Sequence, residues 1–177
     1  MADPELPLEL AGLVSDSIFC RNTQLQQLYH LLGVRTPLLC RSKLTASKSR
    51  TWAPQSLVIH GVEATGKSLA VQSLLRILSE PSVIIRCRET VTTRHLLERT
   101  ISSVKETLAE HPEAPIPPKT DGRCENIASF VAELHILLQA VDRFILVFDN
   151  VDQQREPAPT LLPALARLGE IVRLLHL

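Results

Sequence analysis

Hydrophobic positions follow two alternating patterns along the chain. Short apolar runs rich in Val, Ile and Leu are typical of buried strands, and apolar residues spaced three or four apart are typical of helices. Strands are predicted at 56–60, 82–87 and 144–148, and helices at 18–33, 67–79, 92–108, 125–141 and 160–168. Strands that alternate with helices in this way predict an α/β fold built on a parallel sheet.

Composition limits the class of protein. Apolar residues make up 45% and charged residues 21% of the 177 residues, which is globular rather than disordered usage. No apolar run approaches the roughly 18 residues that span a bilayer, so we expect a soluble protein with no membrane partner. The four cysteines are widely spaced and predict reduced thiols in an intracellular protein.

Charge gives no global case for a nucleic-acid partner, because the formal net charge is zero. A local excess lies in the segment 35–54, which carries Arg41, Lys43, Lys48 and Arg50 without any acid. This segment is predicted to be a solvated basic loop, and contact with DNA phosphates is the alternative.

A phosphate-binding motif lies between the first predicted strand and the helix that follows it. The P-loop pattern G-x-x-x-x-G-K-[ST] is matched at every fixed position by Gly61, Val62, Glu63, Ala64, Thr65, Gly66, Lys67 and Ser68. Lys67 is expected to bind the β- and γ-phosphates, and the Ser68 hydroxyl to bind Mg²⁺. Glu63 stands at a variable position and is expected to face solvent. The motif therefore predicts a site for ATP with Mg²⁺.

The third predicted strand ends in a carboxylate. Asp149 follows the apolar run 144–148, as expected of a Walker B element that holds Mg²⁺ through its water shell. A carboxylate in this position can also cap a helix or form a turn. The P-loop upstream favours the metal-binding interpretation.

Four stretches of the chain together resemble the AAA+ initiator ATPases of the origin recognition complex. The segment 18–28 is similar to the C-R-E-x-Q-x-x-x-L pattern that precedes the P-loop in this family. The segment 83–101 resembles the family's second strand, Cys-x-Glu turn and Leu-Leu-Glu helix. The segment 161–170 is similar to the L-L-P-x-x-x-R-L-x-E pattern after Walker B, while the P-loop and the Asp149 strand are common to all P-loop ATPases.

The resemblance implies a three-layer P-loop NTPase fold of the AAA+ type. It implies ATP held as a structural ligand in a nuclear ring of origin recognition complex subunits, which encircles origin DNA at the initiation of replication. It also implies that Phe19, Cys20 and Arg21 lie near the adenine. The domain organisation is expected to be an N-terminal arm, 1–17, and a partial ATP-binding domain, 18–177, that stops before the sensor strand and helical lid.

The residue after Asp149 bears on hydrolysis. In AAA+ ATPases a Glu usually stands there and polarises the attacking water, whereas this chain has Asn150. Asn has no basic site to take a proton at neutral pH, and Asp152 lies two residues further along the chain. We therefore expect ATP to be bound and to be hydrolysed slowly or not at all.

Two other classes of P-loop protein remain as alternatives. A small kinase needs lid arginines that close over the transferred phosphate, and Arg155, Arg167 and Arg173 instead resemble solvated helix positions. A stand-alone or STAND-type signalling ATPase would share the P-loop and the apolar strand, and would add a long C-terminal region.

Overall fold

The computed structural model describes residues 22–32, 56–78, 80–110, 122–139, 141, 143–154 and 159–174. The chain divides into two compact units, Met1–Ser79 and Glu80–Leu177, and each unit is described by itself. The predicted basic loop 35–54 lies outside the described residues, and the predicted domain boundaries stay a prediction.

Two helices make up the described secondary structure of the first unit. Helix α1 is Asn22–Leu32 and helix α2 is Lys67–Ile77, and the two contact each other. Leu25 of α1 is buried and packs against Ala70 of α2. Both helices coincide with helices predicted from apolar spacing, and α2 begins directly after the P-loop glycine Gly66.

The strand predicted at 56–60 is not formed, so this prediction was wrong. Residues 56–62 have no regular secondary structure, and Val58 in their middle is 75% exposed. A strand is stabilised by backbone hydrogen bonds to a neighbouring strand. The described residues of the first unit include no second strand, so the apolar sequence alone was not sufficient.

The second unit contains the parallel sheet that the sequence predicts. Strand β1 is Ser82–Arg86 and strand β2 is Ile145–Asp149; they pair in parallel, with Ser82 opposite Ile145 and Arg86 opposite Asp149. The connection between them contains helices α3, Thr93–Glu110, and α4, Ile127–Leu138.

The core of the second unit lies between one face of this sheet and its helices. Helix α3 packs on β1 and on α4. The strand residues Val83 and Ile85 alternate with less buried neighbours, so one face of β1 points into the core. The helices contribute the buried side chains Leu96, Leu97, Ile101, Val104, Leu108, Phe130, Val131, Leu134 and Leu137.

Two short helices follow where one was predicted at 160–168. Helix α5 is Leu161–Ala166 and helix α6 is Leu168–Leu174, with Arg167 between them. Pro163 lies in the first turn of α5, where a missing backbone N–H is tolerated. Helix α6 packs on α4, and Leu161 and Leu168 join the core. Among the described residues, no helix is long and apolar enough to cross a bilayer.

Helix α4 begins with a reciprocal cap. The Asn126 side chain accepts a hydrogen bond from the Ser129 backbone N–H at 2.8 Å, and the Asn126 N–H donates to Ser129 Oγ at 3.3 Å. These contacts satisfy backbone donors that the first helical turn leaves without partners.

Removing this cap is expected to destabilise the protein. Asn126→Ala should lower the free energy of unfolding by about 1 kcal/mol, because the Ser129 N–H loses its acceptor. Urea denaturation followed by circular dichroism measures the change. Asn126→Asp keeps an acceptor at the cap and is expected to behave as wild type; equal stability of all three proteins would contradict the role of the cap.

Candidate functional site

The P-loop connects the extended segment 56–60 to helix α2 through a backbone that bends sharply. Gly66 caps α2 in the left-handed conformation, with φ 77° and ψ 21°. A Cβ on Gly66 would meet no atom within 4 Å, so conformational strain rather than space favours glycine there. Ala64 also has a positive φ, 57°, although it carries a side chain. The loop is therefore held in a curled conformation that glycine makes accessible.

Lys67 lies across the loop that precedes it. Its Nζ donates to the carbonyl oxygens of Gly61 at 2.9 Å and Val62 at 2.8 Å. The Thr65 hydroxyl donates to the same Val62 carbonyl at 2.8 Å. An ammonium group has three donors, and two of them hold the positive charge over the P-loop backbone.

The N-terminus of α2 fits an anionic ligand. Its cap is Gly66, which offers no side-chain acceptor, and no acidic residue stands in the first turn. The first N–H groups of a helix have no partner within the helix, and the helix dipole makes this end positive. Phosphate oxygens satisfy both features. Ser68, also in this first turn, is partly buried, and its hydroxyl oxygen is the kind of ligand that Mg²⁺ prefers.

The chain turns abruptly after Asp149. Asp149 is the last residue of β2 and is partly buried. Asn150 follows with φ 54° and ψ 44°, the left-handed region, and begins a 3₁₀ turn at Val151–Gln153. Asn tolerates this conformation better than most residues with a side chain. The residue after Asp149 therefore does not continue the direction of the strand.

A second 3₁₀ turn, Cys87–Glu89, follows β1 and contacts the turn Val151–Gln153. Cys87 is fully buried, and its pKa is raised to about 11 by burial and by the negative charges of Asp149 and Asp152. Cys87 therefore stays a neutral thiol at physiological pH. Thr90 donates from its hydroxyl to the Cys87 carbonyl at 2.8 Å and closes the turn.

Glu89 joins two arginines at this edge of the sheet. Its Oε1 lies 3.4 Å from Arg86 Nη1, and its Oε2 lies 2.6 Å from Arg99 Nη2. Hydrogen bonds from Arg86 and then Arg99 lower the pKa of the Glu89 carboxyl. Sequence reasoning missed this cluster, because Arg99 is ten positions away on another element. The Cys-x-Glu turn, noted only as part of a resemblance, was the available indication.

The structure treats the predicted site residues in three groups. The P-loop residues 61–68 lie in the first unit, where Lys67 contacts Gly61 and Val62; Glu63 is exposed. Asp149 lies in the second unit. The predicted adenine neighbours Phe19, Cys20 and Arg21 lie outside the described residues.

Known proteins similar to this chain agree with these features. The family model described as an AAA ATPase domain matches residues 17–177. Origin recognition complex subunit 5 of Homo sapiens is 26% identical over 158 residues, which cover 87% of this chain and 32% of that protein. A V-type proton ATPase component from Spinacia oleracea is 51% identical over 51 residues, 29% of this chain and 21% of that protein. The chain thus spans about a third of the first relative and a fifth of the second.

The match over nearly the whole chain decides the family. The α/β fold with a parallel sheet is the one expected of a P-loop NTPase, and both the fold class and the resemblance predicted from sequence are confirmed. The chain belongs to the AAA ATPase domain family, and its AAA+ region is similar to that of origin recognition complex subunit 5.

Proposed function

We propose that the chain is an ATP-binding subunit of an origin recognition complex, in which ATP serves mainly as a structural ligand. The observation that carries the ATP site is the Lys67 ammonium, held across the P-loop by two backbone carbonyls. The similarity to origin recognition complex subunit 5 supports the kind of assembly.

Binding would use groups that the first unit already brings to the P-loop. Lys67 would exchange its contacts with the Gly61 and Val62 carbonyls for phosphate oxygens, in charge-assisted pairs that are stronger than neutral hydrogen bonds. Backbone N–H groups of the P-loop and of the first turn of α2 would surround the phosphates. Ser68 would bind Mg²⁺ directly and Asp149 would bind it through water. The ion would supply positive charge against the phosphates.

Hydrolysis would be slow for two physical reasons. The Asn150 amide has no basic site for a proton of the attacking water. Its backbone also turns away from the strand in a left-handed conformation, so a side chain at 150 would not extend along the direction of β2. Bound ATP would therefore persist and stabilise the subunit and its interfaces.

Partners and location follow from the assembly. Other origin recognition complex subunits would be the direct partners, and origin DNA would be contacted through the complex, in the nucleus. The basic segment 35–54 remains a candidate for a DNA-phosphate contact, with a solvated loop as the simpler role.

The proposal is tested by measuring nucleotide binding and phosphate release together. The full chain is titrated with a fluorescent ATP analogue and Mg²⁺, and released phosphate is followed in the same samples. We expect saturable binding without appreciable phosphate release. Phosphate release at about one turnover per second, within the usual range for enzymes, that is lost in Asn150→Ala would contradict a structural ATP. A folded chain that binds no nucleotide would contradict the site itself.

A further inference from the structure

The carboxyl ends of the two strands place a cation beside the candidate Mg²⁺ ligand. Arg86 ends β1 and is in register with Asp149, which ends β2. Neighbouring strands lie about 4.8 Å apart, and side chains alternate between the two faces of a sheet. Arg86 and Asp149, which are paired in register, therefore leave the sheet on the same side. A guanidinium on its three-carbon stem is long enough to cross that separation.

Glu89 holds this guanidinium. One of its carboxylate oxygens contacts Arg86 and the other contacts Arg99 of α3, so the acid joins the end of β1 to the adjacent helix. The three side chains are partly exposed, with 41% of the Glu89 side chain accessible. The cluster is therefore a solvated one, and its effect on neighbouring groups rather than on folding is the relevant quantity.

The backbone of Glu89 is fixed more firmly than that of an ordinary surface acid. Its 3₁₀ turn begins at the fully buried Cys87 and is closed by Thr90, whose N–H donates to the Cys87 carbonyl at 3.1 Å. The same turn contacts both β2 and the turn that follows Asp149. The position of the Glu89 carboxylate is thus tied to the position of Asp149.

We propose that Glu89 is a positioning residue for the Mg²⁺ site: by holding Arg86 against Arg99, it prevents the guanidinium from competing with Mg²⁺ for the Asp149 carboxylate. This inference rests on the Mg²⁺ role proposed above for Asp149. Arginine and a hydrated Mg²⁺ both use the oxygen lone pairs of a carboxylate. A guanidinium released from Glu89 would therefore have to be displaced before the ion could bind.

The first test changes only the charge at position 89. In Glu89→Gln, we expect the Mg²⁺ concentration that half-saturates binding of the fluorescent ATP analogue to rise about fivefold, the size of one charge pair near a protein surface. The matched control is Glu98→Gln, which breaks the 2.9 Å pair with Arg94 on α3. The control is expected to keep the wild-type Mg²⁺ requirement. Equal behaviour of the two variants would overturn the proposal.

A second substitution separates competition by Arg86 from the simple loss of a negative charge. Glu89→Gln combined with Arg86→Gln removes the competing cation, and we expect the Mg²⁺ requirement to return to the wild-type value. A requirement that stays raised in the double variant would mean that Glu89 acts by long-range attraction of Mg²⁺, and the proposal would be wrong.

A third measurement needs no nucleotide, so its failure is distinct from a failure of the proposed ATP site. Side-chain ¹⁵N relaxation reports how rigidly the Arg86 guanidinium is held in the full chain. We expect Arg86 to stay ordered in Glu89→Gln, because it moves to Asp149, and to become mobile when Asp149→Asn is added. An Arg86 signal that does not respond to Asp149→Asn in the Glu89→Gln background would overturn the proposal even if ATP binds as expected.

Discussion

Lys67→Ala is expected to weaken binding of ATP with Mg²⁺ by about 100-fold or more, which corresponds to the loss of two charge-assisted hydrogen bonds to phosphate. The same substitution should leave the fold intact. In the free protein Lys67 contacts only loop carbonyls, those of Gly61 and Val62. Both residues are exposed, so water can replace the ammonium at their carbonyl oxygens.

The measurement is a titration of the full chain with the fluorescent ATP analogue, accompanied by a thermal unfolding curve. Arg76→Ala is the matched control, because Arg76 is exposed in the last turn of the same helix and its loss removes the same charge. We expect this control to bind as wild type does. Wild-type affinity in a Lys67→Ala protein that unfolds at the wild-type temperature would refute the proposed role of Lys67.

Local sequence was sufficient for the helices and for one strand pair. The apolar stripe of α3, with Leu97, Ile101, Val104 and Leu108 buried, is a direct product of helical spacing. The parallel pairing of β1 with β2 follows from two apolar runs separated by helices. The strand predicted at 56–60 failed because pairing depends on a neighbour that no local pattern supplies.

The candidate site was predictable to the extent that its chemistry is encoded in contiguous residues. Eight consecutive residues specify the P-loop, and the Asp149 strand is a single apolar run with a terminal carboxylate. The contact between Glu89 and Arg99 was not predictable, because it depends on how a short 3₁₀ turn lies against α3. The left-handed backbone of Asn150 was likewise invisible, since its identity alone is compatible with many conformations.

Position 150 combines a chemical and a conformational reason against hydrolysis. A Glu would supply the missing basic group, yet the left-handed conformation at this position costs an ordinary L-residue about 1 kcal/mol or more. Asn fits the turn and lacks the base. The local backbone and the side-chain chemistry thus point to the same outcome, a nucleotide site adapted to holding ATP.

Phe130→Ala is expected to lower the free energy of unfolding by about 3–5 kcal/mol, the range for deleting a fully buried aromatic ring. Phe130 has no exposed surface, and it lies on α4 within the core that joins this helix to α3 and the sheet. Because domains are stable by only about 5–15 kcal/mol, such a loss would approach the whole stability of a weakly stable protein.

Urea denaturation of the full chain measures the loss, and Ile136→Ala supplies the comparison on the same helix. Ile136 is 41% exposed, so its truncation removes less buried surface and should cost less than about 1 kcal/mol. Both substitutions introduce the same good helix former, so helix propensity shifts both proteins towards stability and does not create the difference. Equal unfolding midpoints for the two variants would mean that α4 does not bury Phe130 in the core, since exposure is the main property that separates the two sites.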